Sequence, residues 1–253
     1  MLPAERKRTI VQLVTEQDGC SVATLAEELE FSKATIRRDL QDLEAEGRIE
    51  RSHGGAVPAA SVGRERTYDQ REVDRLAAKR AIGQRASEEI RDGQVVCFDA
   101  GTTTMEVARA APDSGFVAVT NMAEIALELA DAEVDVKLTG GTVRPRSHAL
   151  VGPTAEAFLD QTNFDLLFLG TNGVAADSGL STPNEAEAAI KRRMVADASR
   201  VVLVTDSSKF GERSFVSVAD PEDVDLLITD ASLPPELDAA FAETDVVITG
   251  DDG

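Results

Sequence analysis

The sequence predicts an α+β protein of two domains, in which a winged helix-turn-helix head precedes a Rossmann-like α/β domain. The first observation is a set of three short helical segments and a Gly-Gly turn within residues 1–57. The second is a series of seven apolar, β-type runs, separated by helical or loop segments, within residues 75–253. We therefore predict a head over 1–57, a linker over 58–74 and a larger domain over 75–253.

The charge distribution favours the same division. The 253 residues have a formal net charge of −20, from 46 acidic and 26 basic side chains. Residues 1–57 have 8 basic and 11 acidic side chains, whereas the remainder has 18 and 35. Such acidity, with only 6 lysines, is typical of adaptation to very high salt, although an ordinary acidic cytoplasmic protein also fits. A near-neutral head and an acidic remainder indicate two different tasks.

Composition limits the class of protein further. Apolar residues make up 42% of the chain, which is enough for a core. The sequence begins without an apolar signal region and has no apolar run long enough to cross a bilayer, so we expect a cytoplasmic protein. Cys20 and Cys97 are far apart and fit neither a disulfide framework nor a metal-ligand cluster. We expect no metal and no cofactor.

The first two helices are marked by their ends and their spacing. A helix is predicted to begin near Pro3 and to stop near Gly19, because proline suits a first helical turn and glycine a C-terminal stop. Ser21 then caps a second short helix. The inward positions predicted at helical spacing are Ile10, Leu13, Val14, Val22, Leu25, Ala26 and Leu29.

A third helix is predicted from the cap Ser32 through about Glu46, with Gly47 as its stop. Its apolar stripe is Ile36, Leu40 and Leu43. The opposite, outward face comprises Ala34, Thr35, Arg38 and Gln41, with Arg37 on the flank. A short helix, a turn and a helix with an outward basic and hydroxyl face is the helix-turn-helix pattern, which enters the major groove of DNA.

The segment "RIERSHGGAV" follows the third helix. It reads as two short strands around Gly54-Gly55, which form a wing with Arg51 and His53 near its tip. A basic helix that is merely solvated in an ordinary bundle is the alternative. The two capped helices before it and the hairpin after it favour the DNA-binding interpretation.

The head resembles a known family. Arg6, Ile10, Val14 and "SKATIRRDL" at 32–40 resemble the signature of DeoR-type transcriptional regulators, and "RSHGGA" resembles that family's wing. The resemblance implies contacts with double-stranded operator DNA, and whether each residue touches bases or phosphates stays open. The predicted DNA-binding residues are Ser32, Lys33, Thr35, Arg37, Arg38, Gln41, Arg51 and His53.

The larger domain is predicted to begin with a helix from about Glu72 to Ile90. Alternation of buried strands with helices indicates an open α/β sheet that is covered on both faces. Ligands in such sheets bind beyond the carboxyl ends of the strands. The predicted strands are Val95–Phe98, Phe116–Val119, Val136–Leu138, Leu166–Leu169, Val201–Val204, Leu226–Ile228 and Val246–Ile248.

The turns after these strands are rich in glycine, hydroxyl and amide residues, with cations nearby. Helix capping alone explains any single turn of this kind. Five such turns together indicate a pocket for a phosphorylated polyol, because small residues at a helix N-terminus leave N–H groups free for an anion. The predicted effector-binding residues are Asp99, Gly101, Thr102, Thr103, Thr104, Thr120, Asn121, Gly140, Gly141, Arg144, Gly170, Thr171, Asn172, Gly173, Glu185, Lys191, Asp206, Ser208 and Lys209.

Residues from about 75 to 230 resemble the sugar-phosphate sensor domain of the same family. The matching segments include "DAGTTT", "TGGTVRP", "LGTNGV", "GLSTPNEAEAAIKR" and "TDSSKFG". The resemblance implies a fold similar to that of ribose-5-phosphate isomerase. The form of "ALVGPTAE" and "FLGTNGV" is nearest to the fructose-repressor and GlpR-like branch, which implies an effector such as fructose 1-phosphate.

A sugar-phosphate isomerase is the main alternative function. Isomerisation needs a carboxylate that moves a proton between carbons. The four positions that resemble the catalytic residues of the isomerases are Leu169, Asn172, Pro183 and Arg192, and none is a carboxylate or a lysine. We therefore predict that the chain is not an enzyme. It is predicted to be a regulator, most simply a repressor of sugar catabolism genes, acting as a homodimer or homotetramer because operators are read by paired heads.

Overall fold

The structure is a computed structural model that describes residues 2–17, 19–46, 48–52, 54–58 and 65–250. The chain divides into two compact units, Met1–Arg64 and Glu65–Gly253. Each unit has its own apolar core, and each is described by itself below.

The first unit contains three helices and a small antiparallel sheet. In chain order the elements are α1 (Pro3–Glu16), β1 (Cys20–Ser21), α2 (Val22–Glu28), α3 (Lys33–Ala45), β2 (Ile49–Ser52) and β3 (Gly55–Pro58). The strands lie in the order β1-β3-β2, and the antiparallel pair of β2 and β3 corresponds to the predicted wing.

Side chains cap the second and third helices as the sequence predicts. Ser21 Oγ accepts a hydrogen bond from the backbone N–H of Thr24 at 3.0 Å, and Ser32 Oγ accepts one from Thr35 at 3.1 Å. The predicted stripe of α3 is confirmed, because Ile36, Leu40 and Leu43 are all fully buried in the core of the first unit. The predicted stop at Gly47 lies outside the described residues.

One glycine allows the wing to pack closely. A Cβ at Gly55 would lie 2.2 Å from the carbonyl oxygen of Cys20, which is far inside van der Waals contact. Position 55 therefore needs glycine for β1 and β3 to pair, because any side chain would push the two strands apart.

The second unit contains the larger sheet. In chain order its elements are α4 (Tyr68–Val73), α5 (Leu76–Ser87), β4 (Val95–Phe98), α6 (Thr102–Ala110), β5 (Val117–Thr120), α7 (Ala123–Asp131), β6 (Asp135–Leu138), β7 (Thr142–Val143), β8 (Leu150–Val151), α8 (Pro153–Leu159), β9 (Leu166–Leu169), β10 (Gly173–Ala175), β11 (Gly179–Thr182), α9 (Glu185–Ala196), β12 (Val201–Val204), a 3₁₀ turn (Ser207–Lys209), β13 (Val216–Ala219), a second 3₁₀ turn (Pro221–Asp223), β14 (Leu226–Thr229), α10 (Pro235–Ala240) and β15 (Asp245–Ile248).

All seven predicted strands occur and form one parallel sheet, in the order β15-β14-β12-β9-β4-β5-β6. Alternate residues of β4 enter different cores, because Cys97 packs with α8 and α9 while Val96 and Phe98 pack with α5, α6 and α7. Apolar packing therefore covers both faces of the sheet, as near-continuous apolar strands require.

The order of the strands changes direction between β4 and β9. From β4 the chain proceeds outward through β5 and β6, and from β9 it proceeds outward in the opposite direction through β12, β14 and β15. The loops that leave the carboxyl ends of β4 and β9 therefore diverge. This divergence opens a crevice at the point where open α/β sheets bind ligands.

The predicted helix from Glu72 to Ile90 is two helices, α4 and α5. They are separated at Asp74 and Arg75, and Arg75 has a left-handed backbone with φ of 50°. Lys79 Nζ binds the carbonyl oxygens of Arg71 and Asp74, which satisfies backbone acceptors at the end of α4. Part of the predicted linker thus packs in the second unit, where Tyr68 is only 5% exposed.

Two small sheets have no counterpart in the sequence prediction. The strands β10, β11 and β13 form an antiparallel sheet, and β7 pairs with β8. These strands have two to four residues and lie among glycines and polar residues, so they lack a readable alternating pattern.

Among the described helices, none combines the length and the apolar character that a membrane span requires.

Candidate functional site

The outward face of α3 is the candidate nucleic-acid surface of the first unit. Lys33, Arg37 and Arg38 are exposed and form no ion pair with any described residue. Ser32 and Gln41 are also exposed on this helix, and Arg51 is exposed on β2. His53 lies outside the described residues. Several cations and hydroxyls are therefore available near the N-terminus of α3. This is the part of a DNA-binding helix that contacts base edges and phosphates.

Thr35 has a different position from the other predicted DNA-binding residues. It is half-buried, and its hydroxyl lies 2.9 Å from that of Ser32 while its backbone N–H is bound by the same serine. These two residues therefore stabilise the N-terminus of α3 and hold it at a fixed entry angle.

A narrow cleft in the second unit lies at the carboxyl ends of β4 and β9. Many of the predicted effector residues line it: Gly101, Thr102, Thr103, Thr104, Gly170, Thr171, Asn172, Lys191, Asp206 and Lys209. Residues that the sequence prediction missed also line it: Arg71, Asp74, Lys79, Ala100, Glu187 and Thr205. Segments from both halves of the chain thus meet at the divergence of the sheet.

The N-terminus of α6 forms one wall of the cleft. Gly101 precedes the helix and supplies no capping side chain. Thr104 Oγ1 donates to the carbonyl oxygen of Gly101 at 2.9 Å, which fixes the first turn. The first backbone N–H groups of a helix have no intrahelical partner, so this wall presents hydrogen-bond donors and a positive dipole end to the cleft.

The buried pair Asp99 and Lys191 supports the floor. Asp99 is fully buried, and its Oδ2 accepts from Lys191 Nζ and, at 3.0 Å, from the backbone N–H of Gly170. Lys191 Nζ also donates to the carbonyl oxygen of Gly170 at 2.9 Å. Burial raises the pKa of the Asp99 carboxyl, and the charge of Lys191 opposes that increase. The pair joins β4, β9 and α9 and thereby fixes the loops that diverge there.

Three further cations line the cleft without a carboxylate partner among the described residues. Arg71 on α4 has a buried Nε with no hydrogen-bond partner, and Lys209 makes no side-chain hydrogen bond or ion pair. Lys79 on α5 binds only carbonyl oxygens. Burial lowers the pKa of Lys79 to about 8, and it also lowers the pKa of Lys209. Burial and mutual proximity therefore make all three positive charges energetically costly.

Each carboxylate that lines the cleft lies near a cation outside the lining, although Arg144 also pairs with Glu65 and Arg75 also pairs with Asp230. Asp74 pairs with Arg66 at 2.9 Å, and Glu187 pairs with Arg144. Asp206 accepts from the backbone N–H of Ser208 at 3.0 Å and lies 3.8 Å from Arg75. The lining itself has four cationic and three acidic side chains, so its formal charge is slightly positive.

Several predicted effector residues support the cleft from outside its lining. Thr120 Oγ1 accepts from the backbone N–H of Met122 at 3.1 Å, and Asn121 Oδ1 accepts from that of Ala100 at 2.8 Å. Arg144 reaches the cleft only through its ion pair with Glu187. These three residues are correctly placed near the strand ends, but their polar atoms are engaged with the protein.

Other predicted effector residues do not line this cleft. Gly141 packs its backbone against Val151, next to Gly140, and Gly173 packs against Glu212. Glu185 and Ser208 are exposed and do not line the cleft. Glycines in close packing and acids in the first turn of a helix are also common for purely structural reasons.

Two ionisable side chains of the cleft are held by hydrogen bonds to neighbouring residues. Glu187, a buried carboxylate, accepts from Arg144 and from the hydroxyls of Ser147 and Thr182. Lys191 is bound to Asp99 and Gly170. Both groups are therefore held by neighbours, whereas proton transfer needs a base that is free to approach the substrate. No group of three or more His, Cys, Asp or Glu residues in the described part of the chain could hold a metal ion.

Comparison with known proteins agrees with this division of the chain. A model described as the DeoR-like helix-turn-helix domain matches residues 6–62, and one described as the DeoR C terminal sensor domain matches residues 74–231. Solved structures similar to the chain include a ribose 5-phosphate isomerase from Methanocaldococcus jannaschii. That structure has 16% identity and a TM-score of 0.39, covering 52% of this chain and 53% of its own.

Curated relatives extend over nearly the whole chain. The HTH-type transcriptional regulator GlpR of Haloferax volcanii is 62% identical over 234 residues, which is 92% of each chain, and the halophile origin predicted from charge fits this relative. The transcriptional repressor AccR of Agrobacterium fabrum is 34% identical, covering 90% of this chain and 89% of its own. Both relatives are named as transcriptional regulators. The chain belongs to the DeoR family of DNA-binding transcriptional regulators.

Proposed function

We propose that the chain represses genes of sugar catabolism and that a phosphorylated sugar, bound in the cleft of the second unit, controls its affinity for operator DNA. One observation carries the proposal. Arg71, Lys79 and Lys209 line the same cleft as the N-terminus of α6, and none of the three forms an ion pair with a described carboxylate. A phosphate carries close to two negative charges at neutral pH and three acceptor oxygens, so it satisfies both the cations and the free N–H groups.

The remaining lining suits the sugar part of such a ligand. Thr102, Thr103, Thr171 and Asn172 offer hydroxyl and amide groups that can bind sugar hydroxyls. Fructose 1-phosphate is the effector that the sequence resemblance implies. Its phosphate would bind at α6 and its hydroxyls along the Gly170–Asn172 loop.

The operator is proposed to bind the outward face of α3. Lys33, Arg37, Arg38 and Gln41 would contact base edges or phosphates, and Arg51 would support them from the wing. The acidity of the chain and its proposed high-salt setting reduce the contribution of counterion release, so hydrogen bonds to base edges must supply more of the specificity.

Ligand and operator are coupled by linkage. If the ligand changes the affinity of the chain for operator DNA by some factor, then operator DNA changes the affinity for the ligand by the same factor. The free energy of such coupling is typically about 1–3 kcal/mol. Repeated operator half-sites read by paired heads require at least a dimer, so a homodimer or homotetramer is proposed.

A gel-shift assay tests the proposal. The full chain is mixed with the DNA upstream of its own gene, at several salt concentrations, with and without fructose 1-phosphate. We expect a specific shift whose midpoint moves about 5- to 150-fold when the ligand is added. Absence of a specific shift at every salt concentration would contradict the DNA-binding part, and an unchanged midpoint with every phosphorylated sugar tested would contradict the effector part.

A further inference from the structure

The helix α4 connects the cleft with the part of the chain that enters the second unit. It is the first helix after the Met1–Arg64 unit, and it places Arg71 in the cleft lining. The buried Nε of Arg71 has no hydrogen-bond partner, so the guanidinium retains donors for a ligand. A ligand bound by Arg71 therefore contacts the chain only a few residues beyond the boundary between the two units.

A second connection joins the same segment to the cleft. Arg144 makes two hydrogen bonds to the carboxylate of Glu65, at 2.7 and 2.8 Å, and it also binds Glu187. Glu187 lines the cleft, whereas Glu65 is the first described residue of the second unit. One guanidinium thus ties the start of this unit to a carboxylate that a ligand would face.

The ends of α4 are also fixed by the loop and helix beside it. The backbone N–H of Tyr68 donates to the carbonyl oxygen of Arg146 at 2.6 Å, and the Tyr68 ring stacks on His148 at 4.8 Å. At the other end, Lys79 Nζ binds the carbonyl oxygens of Arg71 and Asp74. Since Lys79 lines the cleft as well, an anion that attracts its ammonium group competes for the hydrogen bonds that end α4.

We propose that Glu65–Asp74 is the segment through which ligand occupancy is transmitted toward the DNA-binding unit. Arg71 binds the phosphate directly, and the Glu65–Arg144–Glu187 chain of ion pairs couples the start of the segment to the occupied cleft. This inference rests on the proposed sugar-phosphate effector. It adds the segment of the chain through which the bound effector would influence the DNA-binding unit. A ligand shifts an equilibrium only through contacts that differ between the two states, and Arg71, Lys79 and Arg144 supply such contacts.

Intrinsic fluorescence can observe the segment directly. The chain has one tyrosine and no tryptophan, and the tyrosine is Tyr68 on α4. Fructose 1-phosphate, and separately inorganic phosphate, are titrated into the full chain while tyrosine fluorescence is recorded and calorimetry measures binding. We expect a fluorescence change that saturates at the same ligand concentration as the binding heat.

Two variants separate the steps of the path. Arg71→Gln is expected to weaken fructose 1-phosphate binding about tenfold or more and to abolish the Tyr68 change even at saturation, whereas Arg71→Lys should retain part of both. Glu65→Ala is expected to retain ligand binding within about threefold while the response of operator affinity falls at least fivefold. Arg80→Gln and Glu88→Ala are the matched controls, because both side chains are mostly exposed on or beside α5 and neither lines the cleft.

The outcomes distinguish this inference from the proposed function. Binding heat and an operator response without any Tyr68 change, or a wild-type operator response in Glu65→Ala, would overturn the path and leave the effector proposal standing. A wild-type Tyr68 change in Arg71→Gln would likewise overturn it. Absence of binding by every phosphorylated sugar tested would remove the effector proposal and this inference together.

Discussion

Arg6 and Asp39 form a two-bonded ion pair that joins α1 to α3 in the first unit. Arg6 Nε lies 2.5 Å from Asp39 Oδ2, and Arg6 Nη2 lies 3.0 Å from Asp39 Oδ1. Both residues are buried, and the Arg6 guanidinium stacks over the Phe31 ring at 4.5 Å. The pair therefore sets how α3 is held against α1, on the side of α3 opposite to its exposed cations.

Removal of one partner should destabilise the first unit. Asp39→Ala leaves a buried guanidinium without its carboxylate, and we expect the free energy of unfolding to fall by about 3 kcal/mol. Urea unfolding is followed by circular dichroism, which reports both units, and by Tyr68 fluorescence, which reports only the second. The circular dichroism transition should shift while the fluorescence transition stays. Unchanged circular dichroism would contradict a stabilising role for the pair.

Arg38→Ala should separate operator binding from ligand binding. The side chain is exposed and has no ion pair with a described residue, so its loss should weaken operator binding by about 1–3 kcal/mol without disturbing the core. Gel shifts measure the first quantity, and calorimetry with fructose 1-phosphate measures the second. Arg80→Ala, in the second unit, serves as the charge-matched control. Loss of both activities in Arg38→Ala would show that Arg38 is misassigned.

Lys209→Ala should have the reverse effect. Lys209 lines the cleft with no side-chain partner among the described residues, and burial lowers its pKa. Its loss should reduce fructose 1-phosphate affinity about tenfold or more and abolish the effector response, while operator binding without ligand stays within about twofold. Lys137→Ala, on the exposed edge strand β6, is the control. A normal effector response in Lys209→Ala would remove this residue from the proposed site.

Ligand affinity should depend on pH through Lys79. Its pKa is lowered to about 8 by burial and by the charges of Lys209 and Arg71, against the opposing effect of Asp206 and Asp74. A phosphate remains a dianion above its second pKa of about 6, so affinity should fall above pH 8 as Lys79 loses its charge, by up to about tenfold per pH unit. Calorimetry from pH 7 to 9.5 measures this profile. Lys79→Gln should flatten the profile between pH 7 and 9, and a flat profile in the unsubstituted chain would contradict the role of Lys79.

The same group should affect stability in the opposite sense. In the folded chain Lys79 releases its proton near pH 8, whereas in the unfolded chain it keeps the proton to about 10.5. The unfolded state then binds more protons between these values, so the contribution of Lys79 to the free energy of unfolding should rise with pH across that window. Thermal unfolding of the free chain compared with Lys79→Gln measures it. A difference between the two chains that does not change from pH 8 to 10 would contradict the buried position of Lys79.

The sequence predicts the sheet well because its strands are short, continuous apolar runs. Leu166–Leu169 and Val201–Val204 are buried on both faces, and no helix period competes with such runs. The positions of the turns after the strands can also be predicted, because each turn begins directly where an apolar run ends. The predicted sites at Gly101 and Gly170 therefore lie in the cleft.

Arg71 and Lys79 could not be found in this way. They lie outside the strand-end turns, and the left-handed residue Arg75 redirects the chain between them. If α4 and α5 are treated as one continuous helix through Arg75, a helical projection places Arg71 and Lys79 on faces that they do not occupy in the structure. Only the tertiary packing of α4 and α5 brings both cations to the strand ends, and nothing in their local sequence signals it.

The cleft obtains its shape and its charge from different parts of the chain. Its shape depends on the sheet, through the Asp99–Lys191 pair and the turns at Gly101 and Gly170. Its surplus positive charge comes from α4, from α5 and from the turn at Lys209. Substitutions in those three peripheral segments could therefore change which anion the proposed site favours without altering the strands, so ligand preference can diverge faster than the sheet that shapes the cleft.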